Sequence, residues 1–232
     1  MKHKKVTIIC VTKNAAAYLN ACLKSIEEQS TNDYEIIIQD GGSTDGTLDV
    51  INQWNDKIAY WVSAPDNGIY DAMNKAISHA SGDWIYFIGA DDRLFPEFAE
   101  MVEHDLTDPR TIYYANVLLK GNKYLGKFSA YKLAKHNICH QAMFYPREVF
   151  QYYQFDLAYH VYADHVLNIH LFGDSRFSFK YKDKLIAFFN DAGYSSVQKD
   201  LNFQANQKKL ILKHLGIWAY LRFLNRERKE KK

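Results

Sequence analysis

The feature that most constrains this chain is an alternation of two hydrophobic periods through its first ninety residues. Residues 6–12 form an apolar, β-branched run, and residues 15–29 follow with Leu19, Cys22, Leu23 and Ile26 at helical spacing. Residues 34–39 (YEIIIQ) repeat the strand pattern. The segment Asp-Gly-Gly-Ser-Thr-Asp-Gly-Thr then leads into a helix predicted from about 44 to 54, with Ser43 or Thr44 as its N-cap. A third strand over 58–63, a helix over 68–80 and a fourth strand over 84–88 (WIYFI) complete the series. Strands alternating with helices at this pace predict an α/β fold with a doubly wound, mostly parallel, Rossmann-like sheet.

Beyond Asp92 the alternation loosens. The pattern predicts a helix over 97–105, a strand over 111–119, a hairpin strand around 123–130, a strand over 141–145 and a helix over 165–172, which makes a mixed C-terminal half. A chain of 232 residues with 47% hydrophobic and 24% charged residues is long enough for one large domain, and its balance excludes a disordered or fibrous protein. Cys10, Cys22 and Cys139 are too scattered for a disulfide framework or a zinc site, so a reducing cytoplasm is expected. The N-terminal run is too short for a signal peptide, and no stretch approaches the roughly 20 apolar residues of a membrane span.

In open α/β sheets, ligands collect at the C-terminal ends of the strands. Here those ends are acidic: Asp40 after the second strand, Asp66 after the third, and Asp91 with Asp92 after the fourth. Carboxylates beside glycine-rich turns suit Mg²⁺ or Mn²⁺ bound together with a diphosphate, because hard cations take oxygen ligands and phosphate supplies the remainder. Each aspartate taken alone could equally be a turn or cap residue.

The strings VTIICVTKN, IIIQDGGSTDGT, DNGIYDAMNKAISHASGDWIYFIGADD, ICHQAMFYPREVF and VYADHVLNIHLFG, in this order over roughly residues 4–195, resemble successive motifs of glycosyltransferase family 2, in the branch found in bacterial O-antigen and capsule clusters. The resemblance implies a GT-A fold, a nucleoside-diphosphate sugar donor with UDP-sugar favoured, a divalent cation (Mn²⁺ or Mg²⁺), inversion at the anomeric carbon, and a glycan or lipid-linked saccharide acceptor. No nucleic-acid partner is implied. Thr12 and Asp40 match positions that hold the nucleoside. Asp66 and Asn74 belong to a loop and helix start facing the nucleotide, though Asp71 and Asn74 could hold that loop's own backbone instead. Gly89-Ala90-Asp91-Asp92 matches the family's Asp-x-Asp element with glycine in place of the first aspartate. The nucleotide and metal role then falls on Asp91, with Asp92 as a second ligand or as a group that supports the ligands from behind. His140 of the His140-Gln141 pair is a candidate for the diphosphate or the metal shell. Asp164 matches the catalytic base, its alternative being the N-cap of helix 165–172.

On this reading residues 1–200 are the catalytic domain, with a nucleotide-binding half (1–92) and an acceptor-binding half (93–200), and residues 201–232 are an amphipathic basic tail. A nucleotidyltransferase would need glycine in the first loop, which Thr12-Lys13-Asn14-Ala15-Ala16-Ala17 lacks. A glycoside hydrolase would not need the nucleotide pattern. A non-catalytic binding module of the same fold is favoured only by Gly89. Residues 208–232 carry nine Lys/Arg against two Glu, about +7, leaving 20 basic and 25 acidic residues in the body, about −5. In the tail Leu210, Ile217, Leu221 and Leu224 are expected on one apolar face, flanked by Ile211 and Trp218, with Lys209, Lys213, Arg222 and Arg226 beside or opposite. Arg226, Arg228, Lys229, Lys231 and Lys232 form the terminal cluster. Such a tail either packs on the body or binds the anionic inner face of the plasma membrane peripherally.

Overall fold

The computed structural model describes residues 3–124, 126–190 and 200–230. Four parallel strands form the first half: β1 (Val6–Thr12), β2 (Tyr34–Asp40), β3 (Tyr60–Ser63) and β4 (Trp84–Gly89). β1 sits between β2 and β4, and β3 lies outside β2. Every residue of β1 is buried, as expected for a strand covered on both faces. Between these strands run α1 (Ala16–Glu27), α2 (Thr47–Gln53) and α3 (Ile69–Ile77). The four residues spaced for the core in α1, Leu19, Cys22, Leu23 and Ile26, are its buried face.

The sheet continues through β8 (Met143–Pro146), antiparallel to both β4 and β6 (Thr111–Leu119), then β9 (Ser178–Phe189), parallel to β6. The short strands β5 (Arg93–Leu94) and β7 (Asn122–Tyr124) pair with β9 and β6. The order is β3-β2-β1-β4-β8-β6-β9-β5, a sheet that is parallel in its first half and mixed in its second. The register aligns Thr12 with Asp40, Asp40 with Ser63, and Val11 with Gly89, so the ends of four strands reach one edge.

Several boundaries differ from the sequence expectation, each for a local reason. α2 begins at Thr47, because the Asp45 carboxylate takes both the backbone and hydroxyl hydrogens of Thr47, and Ser43 is turned toward Asp40. The expected strand over 123–130 ends at Tyr124. Ser129 instead caps α5 (Ala130–Leu133) by accepting the Lys132 N–H. His140–Ala142 is a 3₁₀ turn preceding β8. α4 (Glu97–Glu100) continues through a π turn at Met101–Asp105, which fills the helix predicted there. α6 (Val149–Tyr152) follows β8, and α7 (Ala163–Phe172) starts early enough to put Asp164 inside its first turn instead of at its cap.

The C-terminal segment is tied to the body. Asp200 caps α8 (Leu201–Leu210) through the Phe203 N–H and also accepts the N–H groups of Val161 and Tyr162, so the boundary expected at residue 200 is a stitch between the two parts. The Phe203 ring packs 4.8 Å from Tyr162 and 4.9 Å from His165. α8 runs on as a π turn (Ile211–Leu215), and Gly216, at φ +87°, breaks the path before α9 (Ile217–Glu230). Leu210 and Ile211 are buried whereas Ile217 and Leu221 are exposed, so the single apolar face expected for the tail is divided at this break.

Candidate active site

Two cavities meet where the four strand ends converge. The larger, about 620 Å³, is lined by residues 11–15 from the end of β1, Tyr18 of α1, the 66–69 loop and Gly89–Asp91. The smaller, about 300 Å³, lies toward the second half and includes Tyr70, Tyr124, His140, Gln141, Asp164 and Asn190. Ile69, Gly89 and Asp91 line both, so Asp91 stands at the junction.

The sequence-predicted nucleotide residues divide between cavity and scaffold. Thr12 lines the larger cavity, and its buried hydroxyl has no hydrogen-bond partner among the described residues. Asp66 lines it too, with one carboxylate oxygen held by the Gly68 N–H at 2.9 Å. Its other oxygen lies against Gly41, where an added Cβ would overlap it, so glycine at 41 makes room for Asp66. Asp40 is fully buried. Its carboxylate accepts the N–H groups of Gly42 and Ser43 and the hydroxyls of Ser43 and Ser63, which occupies it in shaping the loop. Asn74 lines neither cavity: its amide donates to the Phe155 carbonyl at 2.8 Å and accepts the Phe155 N–H at 3.0 Å. Asn74 thus ties α3 to the 155 loop, in keeping with the backbone-holding alternative open to it in the sequence. Asp71 holds the backbone N–H of Asn67 and an ion pair with Lys75.

The three expected metal ligands, Asp91, Asp92 and His140, all line the smaller cavity, each with different partners. Among the described residues no group of three His, Cys, Asp or Glu side chains could hold an ion by themselves. Asp92 is buried, its oxygens taking N–H groups from Gly89, Gln141 and Asn190 at 2.9 Å each. Burial pushes its carboxyl up to about 6 against these bonds. His140 turns its Nδ1 toward Asp164, 3.4 Å away. Asp91 keeps a carboxylate at the junction, steadied by the Asn190 side-chain amide at 3.1 Å.

Asp164 is buried at the wall of the smaller cavity. One of its oxygens accepts the Tyr70 hydroxyl at 3.0 Å and the His165 N–H at 2.8 Å, while the other faces His140. Burial raises its carboxyl, but the hydrogen bond and charge of His140, the Tyr70 hydroxyl and the charge of His165 outweigh that and hold it below the ordinary value. It is therefore ionised near neutrality and able to take a proton. Tyr70 and Asn190 are the residues that sequence reasoning missed. Tyr70 stands in the quoted DNGIYDAMNK string without a role, and Asn190 lies just past a strand that the sequence pattern did not announce.

Carboxylates thus gather at the ends of the parallel strands beside a split cavity. The comparisons give the family: the model for glycosyl transferase family 2 matches residues 7–164, and the chain belongs to that family. A PGL/p-HBAD biosynthesis glycosyltransferase of Mycobacterium tuberculosis is 36% identical over 200 residues, covering 81% of this chain and 77% of its own length. Chondroitin synthase of Pasteurella multocida is 35% identical over 109 residues, 46% of this chain and 11% of that protein. Among solved structures, S. aureus TarS 1-349 in complex with UDP superposes with a TM-score of 0.68 at 16% identity, over 90% of this chain and 65% of that one. A mannosyltransferase of Pyrobaculum calidifontis in complex with GDP-Man and Mn²⁺ gives 0.63 at 19% identity, over 91% of this chain and 61% of that one. This chain thus spans just under two thirds of the length of those structures. The fold is of the GT-A type.

Proposed function

We propose that this chain transfers a sugar from a nucleoside-diphosphate sugar, with a UDP-sugar favoured, to a hydroxyl of a glycan or lipid-linked saccharide, with inversion at the anomeric carbon. The observation that carries the reading is Asp91, which lines both cavities, together with the buried Asp164 carboxylate on the wall of the smaller one, flanked by Tyr70 and His140. The nucleoside lies in the larger cavity along Thr12 and Asp66, the diphosphate crosses at Asp91, and the sugar enters the smaller cavity. α3 begins at Ile69, which lines both spaces, so the positive end of that helix adjoins the diphosphate path. The acceptor hydroxyl attacks the anomeric carbon opposite the departing diphosphate, and its proton passes to Asp164 as the bond forms. Tyr70 and His140 hold that carboxylate in place.

The donor set also suits a divalent cation of the hard type. Asp91, a partly exposed carboxylate at the junction, would hold Mn²⁺ or Mg²⁺ beside the diphosphate path. When bound, such an ion neutralises charge on the leaving diphosphate. A lipid-linked acceptor places the reaction at the cytoplasmic face of an anionic membrane. No helix among the described residues is long and apolar enough to cross one.

Incubation of purified protein with a panel of nucleotide sugars, each with Mn²⁺ or Mg²⁺ and an acceptor, tests the proposal by nucleoside diphosphate release. Asp164→Asn is expected to lower turnover by at least about 10²-fold while retaining donor binding by calorimetry. Equal loss of affinity and rate, or a product with retained anomeric configuration, would overturn the base assignment.

A further inference from the structure

Nine large hydrophobic side chains are exposed among the described residues, and five of them, Leu201, Leu212, Ile217, Trp218 and Leu221, fall within residues 201–221. Trp218, 78% exposed, is the most exposed of all. α9 packs one face on the body through Ala219 and Phe223. At 100° per residue, Ile217, Trp218 and Leu221 occupy the opposite face of its first turns, and Arg228 and Lys229 continue that same face two to three turns on, also exposed. The helix therefore turns outward an apolar wedge at one end and a cationic end at the other. Of the other charged groups of the helix, Glu227 pairs with Lys208 of α8, Glu230 pairs with Arg226, and Arg222 lies over the Tyr131 ring.

We infer that this outer face of α9 docks the protein on an anionic lipid bilayer, with Ile217, Trp218 and Leu221 entering the headgroup–acyl boundary and Arg228 and Lys229 meeting lipid phosphates. The inference deepens the acceptor part of the proposed function but rests on a surface separate from the two cavities. Charge complementarity selects the occupant. The tail is positive while the body carries about −5, so an anionic surface attracts this end and repels the remainder, which orients the molecule tail-first. A second copy docked face to face would bring like charges together, and three side chains are too few for a standard interface of about 800 Å² per partner. Tryptophan beside aliphatic residues, with Lys and Arg along the helix, is the composition that lies in a membrane interface.

The test uses the full chain with vesicles of phosphatidylcholine alone and of phosphatidylcholine with phosphatidylglycerol. Binding to the anionic vesicles, weakened by salt and accompanied by a blue shift of tryptophan emission, is expected. Each surface cation contributes on the order of 1 kcal/mol, so Arg228→Gln with Lys229→Gln should weaken partitioning by on the order of thirty-fold. Trp218→Ser with Leu221→Ser should abolish the blue shift while the melting temperature and UDP binding stay as in the parent chain. Equal partitioning of parent and charge variant, absence of binding to anionic vesicles at low salt, or a self-associated parent that the Trp218 variant turns monomeric would each overturn it. UDP binding and sugar transfer are read separately, so failure of the catalytic proposal would leave the docking result standing, and the converse holds.

Discussion

The contact between Tyr70 and Asp164 offers a quantitative test of how the proposed base is tuned. Tyr70 is buried, and its single hydroxyl proton is shared between the Asp164 carboxylate at 3.0 Å and the Val161 carbonyl at 2.8 Å. Burial works to raise the Asp164 carboxyl, with the His140 interaction and the Tyr70 hydroxyl prominent among the groups that pull it down. Tyr70→Phe removes one of these while leaving the ring packed 5.4 Å from Phe155. A hydrogen bond to a charged group contributes about 1.5–3 kcal/mol, and because this proton has two acceptors the lower end applies; at about 1.4 kcal/mol per unit the carboxyl should rise by roughly one pH unit. The base must be ionised to act, so activity falls as pH drops through its folded value, and the acid limb of kcat/KM should move to higher pH by that amount. The stability sign follows the same logic. A depressed carboxyl contributes stability that is present above its ordinary value of 3.8 and lost as pH falls through the folded value, and the variant should show less of this acid-labile stability. The orphaned Val161 carbonyl adds a pH-independent loss of about 1–3 kcal/mol. A pH–rate profile of nucleoside diphosphate release, with melting curves across the same range, measures both effects. A folded variant whose acid limb stays fixed, or moves to lower pH, would refute the argument.

Asp91→Ala should reduce transfer by at least about 10²-fold and abolish any strengthening of UDP binding by Mn²⁺ in calorimetry; retention of that coupling would place the ion elsewhere. Gly41→Ala puts a methyl group into the space of the Asp66 carboxylate, so UDP affinity should fall about tenfold or more, with a stability loss of about 1–3 kcal/mol by chemical denaturation. Unchanged affinity would show that Asp66 does not touch the nucleotide.

The first half of the fold was legible because each of its features is local. Runs such as Ile8–Val11 and Ile36–Ile38 are buried on both faces and read as uninterrupted apolar strands, and Leu19, Cys22, Leu23 and Ile26 mark the core face of one helix. Strand ends in such a sheet fall on one edge, so Thr12, Asp40 and Asp91 could be grouped before any contact was known. β9 was not legible. Its Lys182 and Lys184 look like solvent-facing loop residues, yet they are matched by Asp105 and Glu100 from the π turn and α4, partners about eighty residues away. The same applies to Tyr70 with Asp164 and to Asn190 with Asp91, pairs separated by 94 and 99 residues. Asp40 shows the opposite limit. Its position at the ligand edge follows from the sequence, but the two serines and two amides that saturate it are a matter of geometry.

The Gly89-Ala90-Asp91-Asp92 turn shows what glycine in place of the first aspartate of Asp-x-Asp does to the geometry of the two aspartates that follow. A Cβ on residue 89 would lie 2.9 Å from one oxygen of Asp92 and 3.0 Å from one of Asp91. Asp92 has little freedom to yield, because it joins the end of β4 at Gly89, the 3₁₀ turn at Gln141 and Asn190 just past β9. Asn190 then reaches Asp91 with its side-chain amide, so the residue fixed by Asp92 is the one that steadies Asp91. Glycine at 89 thus lets one carboxylate go inward as an anchor while the other stays at the junction of the cavities. Asp92 is buried and its carboxyl is raised toward neutrality by that burial, whereas Asp91 is partly exposed at the junction, where the proposed function has it meet the donor. Two adjacent aspartates that look interchangeable in the sequence acquire different work from the direction each one faces.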